Sequence, residues 1–98
     1  MRLTFVGGDS FAGESAADVI FQLSKFQYDP AARRNVKSAL AWNAWVLTRI
    51  PIDEDLPDLD FLIEYCEKTD LAHLEIETQE GVITYGTHPQ PPMGLTGP

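Results

Sequence analysis

The chain has 98 residues and a mass of 10.9 kDa, the size of one domain. Hydrophobic residues make up 44% and charged residues 22%, ordinary globular values that exclude wholesale disorder, collagen-like repeats and coiled coil. Seven basic against fifteen acidic residues leave a net charge of −8, which argues against direct nucleic-acid contact and against binding to an anionic membrane surface.

Leu3-Thr4-Phe5-Val6 is short, apolar and β-prone, and Gly7-Gly8 ends it, so a first strand is expected at about residues 2–6. Ser15-Ala16-Ala17-Asp18 has the shape of a capping box. Ala16, Val19, Ile20, Leu23 and Phe26 then fall on one helical face, with Phe21 well off it. Asp29-Pro30 restarts a helix, with Asp29 as N-cap and Pro30 in the first helical position, where its missing N–H costs nothing. This second helix is expected to run to about Arg49, before Pro51. Val36, Ala39, Leu40, Leu47 and Ile50 line one side, and Trp42, Trp45 and Val46 cover much of the other. From Ala39 to Leu47 only Asn43 is polar, so the helix reads as central and buried on several sides; its tryptophans also suit an oligomer interface.

Pro51 to Pro57 is an acidic linker between two prolines. A third helix follows over about 57–68, with Leu59, Leu62, Ile63 and Cys66 as its core face and Phe61 and Tyr65 on a different side. Leu71 to Thr78 alternates, placing Ala72, Leu74 and Ile76 inward and His73, Glu75 and Glu77 toward water. Gln79-Glu80-Gly81 turns the chain into a partner strand over 82–85. The expected fold is α+β: three helices on a small three-stranded sheet, in the order β-α-α-α-β-β, with a C-terminal hairpin. Residues 1–87 form the domain and residues 88–98, rich in Pro and Gly, an extended tail.

Charge is distributed unevenly. Residues 1–52 hold six basic and four acidic side chains, a balance of +2. Residues 53–80 hold eleven acids against Lys68 alone, a balance of −10. Burying one of those carboxylates unpaired costs several kcal/mol, so this half faces water or a basic partner. Arg33, Arg34 and Lys37 stand in the first two turns of the expected second helix, where positive charge opposes the dipole. They are candidates for holding an anion, or for pairing with acids of this chain or of a second copy.

The apolar runs fall short of the roughly 18 residues of a membrane span, and no charged-then-apolar signal segment opens the sequence. Cys66 is the single cysteine and can make neither an internal disulfide nor a structural zinc site, so a reducing cytoplasm is the expected compartment. No metal or other cofactor is expected: His73 and His88 stand apart, and Asp53-Glu54-Asp55 lacks the glycine and spacing of an EF-hand loop.

Gly8-Asp9-Ser10 after an apolar strand resembles the first block of the GDS-type (SGNH) esterases, and Asp70-Leu71-Ala72-His73 resembles their D-x-x-H block. The resemblance implies Ser10 as nucleophile, His73 as base and Asp70 as its orienting partner. The chain has about half the length of that family's doubly wound sheet and lacks its G-x-N-D block, which favours a plain glycine-rich turn at this position. The Gly7-Gly8 loop likewise matches no phosphate-binding pattern.

The sequence therefore points to a non-enzymatic interaction module that engages a protein with a basic surface, or a second copy of itself in a homo-oligomer. The expected binding residues are Phe21, Trp45, Phe61 and Tyr65 beside Asp53, Glu54, Asp55, Asp58, Asp60 and Glu64. The alternative is an acidic mimic of nucleic acid that fills the basic cleft of a DNA- or RNA-binding protein.

Overall fold

A computed structural model of the chain describes residues 1–86; the tail expected at 88–98 lies outside them. The elements are β1 (Arg2–Phe5), β2 (Ser10–Ala12), α1 (Ala16–Ser24), α2 (Pro30–Arg34), α3 (Val36–Thr48), α4 (Asp58–Thr69), β3 (Ala72–Thr78) and β4 (Gly81–Tyr85). The fold is mixed α+β, with four helices and one antiparallel sheet of order β2-β1-β3-β4 among the described residues. No helix of the described residues is long and apolar enough to cross a membrane.

The sheet has one strand more than the sequence suggests. Gly8 adopts φ 103°, a conformation open to glycine, and lets the chain reverse at once into β2. The Phe5 N–H donates to the Asp9 carbonyl at 2.8 Å, closing the turn, and Leu3 faces Phe11. A three-residue strand with a single buried side chain carries too little periodicity to be read in advance.

The long second helix is two helices. Asn35 leaves helical geometry at φ −144°, ψ 80°, and serves both neighbours. Its N–H donates to the Ala31 carbonyl at the end of α2, and its Oδ1 accepts from the Ser38 N–H at 3.1 Å to cap α3. The Asn35 cap was not expected; the two expected caps form, the Asp18 N–H donating to Ser15 Oγ and the Ala31 N–H to Asp29 Oδ1. The end of α1 departs from expectation, because the chain tightens there into i→i−3 bonds from Lys25, Phe26 and Gln27. Phe26 thus leaves the helical face; it is largely exposed and meets the core residue Phe11 in a T-shaped ring contact at 4.9 Å.

α4 is rotated relative to the sequence reading. It buries Phe61, Leu62, Tyr65, Cys66 and Thr69, leaves Ile63 half-buried and exposes Leu59. Both stripes satisfy helical spacing, and the packing selects the one with the larger rings. Phe61 stacks on Tyr65, and Phe5 on β1 forms a T-shaped pair with Tyr65, ring centroids 6.2 Å apart. Burial pushes the Tyr65 hydroxyl and the Cys66 thiol each up to about 12. His73, expected to face water, is 5% exposed; it lies on β3, between β1 and β4, opposite Thr4 and with Nε2 3.3 Å from Glu75 Oε1.

The helices lie in two tiers. α4 packs on β3, and α1 on β2; α3 packs on α1, α2 and α4 rather than on the sheet. An outer tier has one neighbouring layer, so the side of α3 turned away from α1 and α4 stays open, with α2 and the 51–57 segment only at its flanks. The expectation of a central helix buried on several sides is corrected accordingly.

Candidate functional site: the outer face of helix α3

α3 carries two apolar faces. Val36, Leu40, Ala41 and Ala44 point into the protein and are buried. On the opposite side, within a sector of about 120° at 100° per residue, lie Ala39, Trp42, Trp45 and Val46. Trp42 is 65% exposed, Trp45 42%, Val46 46%, and Leu47 near the helix end 69%. An ordinary surface helix turns charged or polar side chains outward. Here the outward side holds both tryptophans of the chain.

Trp42 stands between two grooves. One, of about 280 Å³, is lined by Ala41, Trp42, Trp45, Pro51, Ile52 and Glu54. The other, of about 260 Å³, lies toward α2 and includes Asp29, Ala32, Asn35 and Ala39. At the C-terminal end Arg49 adopts φ 62°, donates its N–H to the Trp45 carbonyl at 2.9 Å and sets its guanidinium 5.7 Å from the Trp45 ring.

The acidic linker runs alongside. Ile52 is buried as an anchor, and the Asp53 N–H donates to Glu64 Oε2 at 3.4 Å. Asp53 Oδ1 in turn accepts from the Asp55 N–H at 2.9 Å, closing a tight turn. Lys37, in the first turn of α3, donates to the Leu56 carbonyl and lies 3.2 Å from Asp58. The segment therefore retraces α3 from its C-terminal to its N-terminal end, with Asp53, Glu54 and Asp55 exposed along one flank.

The sequence-derived candidates separate on this frame. Trp45, Asp53, Glu54 and Asp55 converge on α3 and its flank. Phe21 is exposed as expected, on α1, with Lys25 Nζ 4.7 Å from its ring. Phe61 and Tyr65 are core residues, so their assignment to a binding surface is withdrawn. Asp60 is exposed, Asp58 is engaged by Lys37, and Glu64 is held by Lys68 at 2.7 Å, whose hydrogen bond lowers the Glu64 pKa. Trp42, Val46 and Leu47 were not singled out as site residues; the signal was the run from Ala39 to Leu47, which a one-sided helix contact cannot bury.

The basic trio also changes meaning. Because α2 ends at Arg34, Arg33 and Arg34 occupy its last turn, where positive charge is favourable. Arg33 Nε donates to the Gln27 carbonyl. Lys37 does sit in a first turn, and there it braces the linker while its Nζ lies 5.6 Å from the Phe61 ring.

The esterase-like residues do not assemble. Ser10 and His73 both face Thr4, from opposite sides of β1. They are thus two strand spacings apart, about 10 Å, beyond direct proton transfer. Ser10 Oγ instead accepts from Arg2 Nη1 at 3.0 Å. Among the described residues no group of three or more His, Cys, Asp or Glu is placed to hold a metal ion. Comparison with known protein families, with curated proteins and with solved structures finds no match to this chain.

Proposed function

We propose that this protein is a non-enzymatic interaction module that docks a protein with a basic surface on the outer face of α3. The second apolar face of that helix carries the proposal. Burying one such large side chain on association is worth about 1.5–3 kcal/mol, and exposed clusters of this kind mark interaction sites. Asp53, Glu54 and Asp55 beside it supply long-range attraction and orientation for a basic partner. A nucleic-acid mimic asks for an unbroken row of available carboxylates, whereas Asp58 is engaged by Lys37 and Glu64 by Lys68.

The test is site-specific photo-cross-linking in extract of the native host, from a probe at Asn43, exposed at the edge of the outer face, and, as control, at Thr84 on β4. The adduct specific to position 43 is identified and its protein purified. That protein should bind at least about tenfold more weakly to a Val46→Glu variant and unchanged to Glu80→Lys. Equal adducts from both positions, or binding indifferent to Val46→Glu, refutes the reading.

A further inference from the structure

We infer that the occupant of the α3 face is a basic amphipathic α-helix of the partner. This rests on the interaction-module reading and specifies the partner's form. The face is one helix long: thirteen residues at 1.5 Å each span about 20 Å. Its relief is a ridge at Trp42 with a groove on each side, the shape into which the side-chain ridges of a second helix interdigitate. The acidic segment runs parallel to that ridge because the Lys37–Leu56 bond and the buried Ile52 hold it along α3. A helix with apolar residues at i, i+3, i+4 and i+7 and Lys or Arg on one flank meets both features together. The opposite flank holds Asp29 with Arg33 and Arg34 on α2, and Arg49 caps the end. The basic side of the bound helix is therefore the one facing the linker.

A second copy fits less well. The exposed parts of Trp42, Trp45 and Val46 amount to roughly 300–400 Å². A stable protein–protein interface takes about 800 Å² per partner. An antiparallel twofold pairing of α3 also sets both acidic linkers on the same side of the interface, and each copy carries −8.

Trp42 and Trp45 are the only tryptophans in the chain, so their emission reports directly on this face. The experiment titrates the protein with two tryptophan-free synthetic helices of about eighteen residues. They share one leucine face and differ only in carrying Lys or Glu at the polar positions. The Lys peptide should shift the emission to the blue and bind at least about tenfold tighter than the Glu peptide. An Asp53→Lys/Glu54→Lys variant should abolish that preference, and Glu77→Lys/Glu80→Lys, in the distant β3–β4 hairpin, should leave it intact.

Equal sensitivity to the two charge reversals shows attraction to overall negative charge and overturns the inference. So does binding of neither peptide. In that case sedimentation equilibrium separates the readings. A species of twice 10.9 kDa that Trp42→Glu dissociates identifies a second copy as occupant and leaves α3 as the interaction face. A monomer, together with failure of the cross-linking at position 43, removes both readings.

Discussion

Phe61 and Trp42 exchange roles between sequence and structure, and paired truncations test that exchange. Phe61 is fully buried, stacked on Tyr65 at 6.3 Å and capped by the Lys37 ammonium. Phe61→Ala removes a ring from a closed site and leaves a cavity, a change that costs about 3–5 kcal/mol. A domain of this size has about 5–15 kcal/mol of total stability, and each kcal/mol moves its midpoint by about 4–8 °C. The melting temperature should therefore fall by at least roughly 12 °C. Trp42→Ala removes a larger side chain with most of its surface in water, and should cost under about 1 kcal/mol. The assay is urea unfolding followed by far-ultraviolet circular dichroism, comparing midpoints at unchanged slope. Phe61→Leu supplies a graded variant, at about 1–2 kcal/mol, should the alanine chain not fold. A Phe61→Ala cost below about 1 kcal/mol would refute the rotation of α4, and a Trp42→Ala cost above that of Phe61→Ala would refute the outward orientation of α3.

Two further outcomes test the interior and the linker. Tyr65 and Cys66 have folded pKa values near 12, above their ordinary 10.0 and 9.0, because burial disfavours the charged forms. Their contribution to stability is complete below about pH 9 and is lost as pH rises toward 12. The melting temperature should thus drop steeply over that window and less so for Tyr65→Phe; a flat profile to pH 11 contradicts the burial. Lys37→Ala removes donors to the Leu56 carbonyl and Asp58, and should cost about 1–2 kcal/mol by urea unfolding, well above Arg34→Ala. Equal costs for the two would show that Lys37 does not brace the linker.

Local chemistry was legible wherever neighbours in sequence settle it. The Ser15 and Asp29 caps, Pro30 at a helix start and the hairpin turn before β4 all depend on residues a few positions apart, and each formed as read. The mixed α+β class follows from the same local periods. The acidic flank was also legible, because eleven carboxylates against one lysine cannot be buried whatever the fold.

Only tertiary packing decided the remainder. Asn35 favours a cap over a helix interior, but the helical pattern runs on through it from Pro30 to Thr48, and its choice of cap split one helix into two. α4 has two apolar stripes of similar spacing, and contact with Phe5 turned Phe61 and Tyr65 inward in place of Leu59. His73 lay on the polar side of an alternating strand, yet the folded protein leaves it only 5% exposed. The outer face of α3 follows the same rule. Sequence showed a helix apolar on both sides, but which side met the protein depended on how many layers lay around it. With α1 and α4 occupying the sheet, α3 had one side to bury, and the tryptophans were left on the other.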